Sequence, residues 1–324
     1  MVTSSTGPKA VTKEARSVGA QETSRRSVLL LSLLGLAAAC GRTDAAPAAP
    51  PPAPPPPPEP SPSTTSVTPP PEPPTPTLRV GFCGGPNAPA LGRMTGNLTA
   101  AGEQLRQQLS AYPEAGPVVE LIATRVHATP GPDGLYRSRE SDSTVESYLA
   151  EARRLGGPLL LNIQPGHADF PTEVRAYEHW LTEPDVGIAL DPEWAVDPGV
   201  VPGKKYGHVE GAVLDQVSSY LAGLVQQHGL PPKMLVYHQV AASVVRNEAD
   251  LRPRDGVVPI KVVDGIGAPE SKLATWNLVM KGKPDHVQAG FKLFYDEDTR
   301  NGSRLMTPAE VMTLQPKPVY VVYE

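Results

Sequence analysis

Cysteine is nearly missing: the 324-residue chain has two. A disulfide scaffold needs paired Cys at regular spacing, so that class is excluded. Aromatic residues make up only 5 % of the chain, and no Phe, Tyr, Trp or His precedes Leu78. An excess of basic charge is missing too. The chain has a net charge of −5, and residues 78–324 carry 23 Lys/Arg against 29 Asp/Glu. A nucleic-acid binder needs a basic footprint to release counterions, so no nucleic-acid partner is expected. Long apolar runs are missing apart from one near residue 30, which excludes a polytopic membrane protein. There is no Gly-X-Y period, which excludes collagen.

What is abundant is proline. There are 40, and 17 of them fall within 47–76. Residues 44–77 are dominated by Ala, Pro, Ser and Thr with occasional Glu, a composition unable to bury a core. Proline runs hold an extended path of about 3.1 Å per residue, so thirty residues reach on the order of 90 Å. The segment reads as a spacer. The folding unit is then 78–324, 247 residues, a length that suits one large domain or two small ones.

Upstream, Ser24-Arg25-Arg26-Ser27-Val28-Leu29-Leu30 opens an apolar run ending at Ala39-Cys40. A charged region, an apolar region and small residues before a cleavage point make an export signal. The Arg pair with Ser27-Val28-Leu29 resembles the twin-arginine motif. Ala37-Ala38-Ala39-Cys40 resembles a lipobox, with Ala37 where Leu is usual and Leu36 one residue further back. The resemblance implies a signal peptide over 1–39, lipidation of Cys40, and a linker over 40–77 that displays the domain outside the cytoplasmic membrane, in the cell-wall space. The alternative is an uncleaved anchor. Cys83, in an apolar strand, packs as a small hydrophobe.

Residues 78–324 alternate short apolar runs with amphipathic stretches. The runs are 79–83, 118–126, 158–164, 186–191, 234–239, 258–264, 287–293 and 319–323. Helical patterns occupy 97–111, 143–155, 172–181, 208–228, 271–280 and 307–314, with a weak one at 241–247. Strands alternating with helices imply parallel pairing, and eight units in this length predict an α/β fold of the (β/α)8 TIM-barrel type. Helix-to-strand connections are short and marked by Gly and Pro. Strand-to-helix connections are often long, which is the side where such barrels build their sites. A doubly wound sheet is the runner-up, but no G-x-G-x-x-G turn follows the first strand.

The fourth run, Val186-Gly187-Ile188-Ala189-Leu190-Asp191-Pro192-Glu193-Trp194, carries the most chemistry. Side chains alternate across a strand, so Gly187, Ala189, Asp191 and Glu193 share the inward face. Two carboxylates about 6.6 Å apart at the backbone resist joint ionisation, so one pKa rises. A neutral carboxylic acid beside an ionised neighbour is what glycosidic cleavage uses.

This stretch resembles the D-G-x-D-x-D-x-E fourth-strand motif of family 18 chitinases and related glucosaminidases, and the D-x-E of family 25 lysozymes. Gly187, Asp191 and Glu193 match, while Val186 and Ala189 stand where the chitinase pattern has Asp. The resemblance implies Glu193 as general acid and Asp191 as orienter of an acetamido group or stabiliser of charge. The domain also resembles barrel lipoproteins of actinobacteria, which implies a fold and no particular activity.

Other groups converge on the same end of the barrel. Asn162 and Gln164 share the inward face of the third strand. Asp264 ends the sixth, and Lys292 lies on the seventh, where pairing with Asp191 or Glu193 would lower their pKa. Asp296 and Glu297 follow it. Many retaining glycosidases take their nucleophile from the end of the seventh strand, which brings Glu297 into view. On the fifth strand either His238 or Tyr237 with Gln239 faces inward. Trp194 stacks on a sugar ring or packs in the core. His127, His167, His238 and Asp264 each lie near a strand end, but no H-x-H or H-E-x-x-H spacing appears, and no metal or cofactor is implied. No G-x-S-x-G elbow occurs. The expected substrate or partner is carbohydrate, with a membrane reached only through the lipid anchor. The competing reading is a lipoprotein that binds glycan, or organises the envelope, without cleaving anything.

Overall fold

The computed structural model describes residues 78–324. The expected signal peptide, Cys40 and the proline-rich linker lie outside the described residues.

Eight strands form a closed parallel barrel. They are β1 (Arg79–Gly84), β2 (Gly116–Val126), β3 (Leu159–Ile163), β4 (Val186–Leu190), β5 (Lys233–Gln239), β6 (Val257–Val263), β7 (Gln288–Leu293) and β8 (Tyr320–Tyr323). Closure comes from β1, which pairs with β2 (Arg79 beside Gly116) and with β8 (Arg79 beside Tyr320). The fold is a (β/α)8 barrel of the TIM type. All eight expected apolar runs became its strands.

Period-two alternation explains the layering. Leu159, Leu161, Ile163, Ile188 and Leu190 turn outward against the helices. Val118, Leu160, Ala189, Val236, Ile260, Val262, Tyr320 and Val322 pack together inside. Each buried aliphatic contributes roughly 1.5–3 kcal/mol of transfer free energy.

The covering helices are α1 (Leu98–Leu109), α2 (Asp142–Leu155), α3 (Phe170–Arg175), α4 (Glu178–Leu181), α5 (Gly211–His228), α6 (Pro269–Val279) and α7 (Pro308–Val311). Asn97, Ser141, Asp169 and Thr307 cap α1, α2, α3 and α7, each accepting a backbone N–H through its side chain. That satisfies a donor the first turn would otherwise leave unpaired. After α2, Gly156 takes the left-handed conformation at φ 83° and ends the helix. Gly157 follows because a Cβ there would strike the Pro117 carbonyl.

Two expected helices differ. The 172–181 pattern is broken into α3 and α4 at Ala176–Tyr177. The weak 241–247 pattern is not an α-helix. Ala242–Val244 forms a 3-10 turn and Val245–Arg246 pairs in parallel with Val209–Glu210. Adjacent β-branched Val244 and Val245 disfavour a helix, and Asn247 at φ 49° stops the chain from continuing one. This small pairing ties the loop after β4 to the segment after β5, above the carboxylate-bearing end of the barrel.

Candidate functional site

Toward their C-terminal ends the strands replace inward apolar residues with polar ones. β2 contributes Glu120, β3 Asn162 followed by Gln164, and β5 His238. Asp191 and Asp264 follow β4 and β6, β7 contributes Lys292, and Glu324 follows β8. A polar cluster therefore sits above an apolar plug, on the side where barrels of this kind carry their sites.

Glu120 is the hub. Its Oε1 accepts from Asn162 Nδ2 at 2.8 Å and lies 3.1 Å from His238 Nε2. Its Oε2 accepts from the Tyr320 hydroxyl. Burial works to raise the Glu120 carboxyl, but the adjacent His238, Lys292 and the Tyr320 hydroxyl hold it down at about 2. For His238, burial opposes the charged form, yet Glu120, Asp264 and Asp191 push its pKa well up. Glu120 and His238 are thus a fully enclosed carboxylate–imidazole pair in which each group's shift favours its charged form.

Asp191 is 3 % exposed. Asn162 Nδ2 donates to its Oδ1 at 2.9 Å and Gln164 Nε2 to its Oδ2 at 3.0 Å. Burial raises its pKa, against the pull of His238 and Lys292. The two amides expected on the inward face of β3 therefore hold this carboxylate in place.

Glu193 does not continue the strand. β4 ends at Leu190, and Pro192–Trp194 form a 3-10 turn that keeps the Glu193 side chain at the mouth. Its Oε2 is buried and has no hydrogen-bond partner among the described residues. Burial pushes its pKa well above the carboxylate range, and Asp191 and Asp264 add to the rise. Asp264 lies with Oδ2 3.6 Å from His238 Nδ1, and its Oδ1 is also unpartnered. A cleft of about 440 Å³ is lined by Glu193, Trp194, Gly203, Lys204, Lys205 and Tyr206. Tyr206 is 60 % exposed, an aromatic residue beside an acid.

The remaining expected residues divide. His238 is the inward residue of β5. Tyr237 points outward into the helix-facing core, and its hydroxyl bonds Glu248 Oε1 at 2.5 Å, which removes it from the mouth. Gln239 lies on that same face by alternation, with its Nε2 3.5 Å from the Ala242 carbonyl. Lys292 faces inward but pairs with Glu324 at 2.6 Å, rather than with Asp191 or Glu193. Asp296 and Glu297 line a different cleft, of about 400 Å³, with Arg93, Asn97 and Glu324. Asp296 reaches Arg93 at 4.0 Å and Glu297 binds Arg300 at 2.8 Å. Neither lines the cleft that holds Glu193. Asp298 is a core residue, accepting from the Gly267 and Phe294 amides and pairing with Lys272 at 3.0 Å.

His127 bonds Ser138 and His167 bonds the Val200 carbonyl, so neither joins His238. Among the described residues no three His, Cys, Asp or Glu side chains are arranged to hold a metal ion.

Glu120, Tyr320 and Glu324 were not among the expected site residues. Glu120 had a signal: it is the lone acid within Val118-Val119-Glu120-Leu121-Ile122, on the inward register of Val118. Glu324 had none, since the β7–β8 register, with Leu293 beside Tyr323, is what brings the residue after β8 next to Lys292.

Cys83 is buried beside Lys292 and Glu324. Burial pushes its thiol well up, and Lys292 does not reverse this. In a Cys40→Ala background the native protein should resist thiol-directed reagents at pH 8 and react fully in denaturant. Rapid labelling of the folded state contradicts this assignment.

No protein-family model and no curated protein matches the chain. What fold and site define together is a parallel (β/α)8 barrel with a buried carboxylate–histidine cluster beneath a half-open acid. Fold alone does not set the chemistry.

Proposed function

We propose that the Glu193 end of the barrel acts on carbohydrate, with Glu193 as a general acid in glycosidic cleavage. The observation that carries this is the Glu193 carboxyl itself. It is unpartnered, raised in pKa by burial and by Asp191 and Asp264, and it borders a cleft containing Trp194 and Tyr206. A carboxylic acid that keeps its proton near neutral pH can protonate a leaving oxygen. Aromatic faces suit the apolar faces of sugar rings. Asp191, with both oxygens occupied by amides, raises the Glu193 pKa and fixes the site. Asp264, with a free oxygen, is the better second carboxylate.

One observation favours the second reading, a glycan-binding protein without turnover. Asp191, Asp264 and His238 are all enclosed, so a sugar in the cleft meets Glu193 before any partner carboxylate. A screen of the full chain against peptidoglycan, chitin and other polysaccharides separates the two. New reducing ends support cleavage, and saturable binding without them supports the second reading. Neither outcome appearing rejects both.

We also propose that the protein is a lipoprotein, exported by the twin-arginine route and anchored through Cys40, with residues 44–77 as spacer. The Arg25-Arg26 pair and the Ala37–Cys40 stretch support it. Two acyl chains suffice for stable anchoring. Replacing Cys40 with Ala should move the protein from the detergent phase to the aqueous phase on phase partition. Unchanged partition rejects the anchor.

A further inference from the structure

We propose that the opposite end of the barrel, at the N-terminal ends of the strands, is a binding site for a small amphiphile with one carboxylate head and an alkyl tail. The inference does not rest on the carbohydrate reading, since no residue is shared between the two ends.

A cavity of about 530 Å³ opens there, within the size range of small-molecule sites. Its walls include Leu160, Met234, Val258, Ile260 and Val319, and Gly187 adds no side chain. Barrel interiors of this type are ordinarily filled by layers of branched side chains. Here the first layer leaves a hollow with an apolar lining.

The rim is cationic. Arg153 is already satisfied, forking onto Asp185 with two contacts of 2.8 Å and reaching Glu183 at 2.7 Å. Lys233 donates to the Glu183 and Val186 carbonyls at 2.8 and 2.9 Å, and burial brings its pKa down to about 8. Arg79 is the exception. It is half-buried, and among the described residues it has neither an ion-pair partner nor a side-chain hydrogen bond; burial is the one influence on its pKa. Gly116 on the adjoining strand makes room for it, because a Cβ there would strike Nη1. With Arg153 and Lys233 together offsetting Asp185 and Glu183, the charge of Arg79 is left over at the edge of an apolar hollow.

This combination selects the ligand. A guanidinium presents a fork of donors that matches one carboxylate, in charge-assisted bonds about twice as strong as neutral ones. A polyhydroxylated ligand would lose its hydration against Leu160, Met234 and Ile260 without replacement. A neutral hydrocarbon would fill the hollow and leave Arg79 unmatched. A carboxylate on an alkyl chain satisfies both.

Calorimetric titration of the full chain with dodecanoate, below its micelle concentration, tests the assignment against dodecanol and acetate. Saturable 1:1 binding of dodecanoate, about tenfold or more tighter than dodecanol, is expected, with no measurable acetate binding. Arg79→Gln should bring dodecanoate down to the affinity of dodecanol, and Arg79→Lys should retain part of the preference. Met234→Trp, which fills the hollow, should weaken both ligands. Absence of saturable dodecanoate binding overturns the proposal, as does equal affinity of the wild-type protein for dodecanoate and dodecanol. That wild-type comparison holds whether or not the variants fold.

Discussion

Glu193→Gln is expected to reduce turnover of a cleavable glycan by about 10²–10⁴-fold, the contribution typical of a positioned general acid. Gln keeps the shape and the capacity to hydrogen-bond but has no proton to give. Binding of the same glycan should persist, because the Trp194 and Tyr206 surfaces are untouched. The same variant carries a second signature that a merely structural residue would not show. Burial, Asp191 and Asp264 raise the Glu193 pKa, so the native state holds a proton that the unfolded chain releases. Between the ordinary carboxylate range and that raised value, stability falls as pH rises, at up to about 1.4 kcal/mol per pH unit. Gln removes this slope. The variant should therefore match the wild type near pH 4 and be more stable by on the order of 1 kcal/mol or more at pH 7–8. Loss of activity with a gain in stability is the pattern of a site kept at the expense of the fold. Undiminished turnover in Glu193→Gln removes the acid role. A variant less stable than wild type at every pH removes the electrostatic account of its pKa.

Glu120→Ala is expected to destabilise the barrel by about 3–5 kcal/mol, the cost of breaking a buried ion pair from one side. In a domain of this size that is roughly a 10 °C fall in Tm. The variant strands His238 with its charge in an enclosed space and removes the acceptor used by Asn162 and Tyr320. The pH dependence has a definite sign. The Glu120 pKa is depressed to about 2, so its contribution is present above the ordinary carboxylate value and is lost as pH falls through about 2. The His238 pKa is raised, so its contribution is complete below the ordinary imidazole value and is lost as pH rises through the raised one. The pair is therefore most stabilising between about pH 4.5 and 6.5. Adding His238→Phe to Glu120→Ala should cost much less than the sum of the two single changes, because the stranded charge is gone. Additive effects, or a loss under about 1 kcal/mol for Glu120→Ala, would show that the pair is not coupled as its geometry requires.

The two predictions concern groups that were unequally legible. Glu193 stood out because a carboxylate two residues beyond Asp191, at the end of an apolar run, has few structural reasons to be there. The 3-10 turn over Pro192–Trp194 then changed the route by which Glu193 reaches the mouth, without moving it elsewhere. Asn162 and Gln164 were read correctly by alternation, yet their task, holding both Asp191 oxygens, was not visible. On β5 the run Val236-Tyr237-His238-Gln239 has no bulky/small contrast to orient it. Only packing of Tyr237 against the outer core assigned His238 to the interior.

Periodicity and punctuation are local properties of a chain. They were enough to determine eight strands, most of the helices, a parallel barrel and the end on which its polar residues gather. Partnership is not local. Tyr320 and Glu120 are 200 residues apart, and they meet only because β1 closes the sheet between β2 and β8. Pairing of β7 with β8 gives Lys292 to Glu324 rather than to the Glu193 carboxyl, so Lys292 does not offset the rise in the Glu193 pKa that burial, Asp191 and Asp264 produce. Tertiary structure decided this, because charge state depends on distances across the barrel that no spacing along the chain encodes.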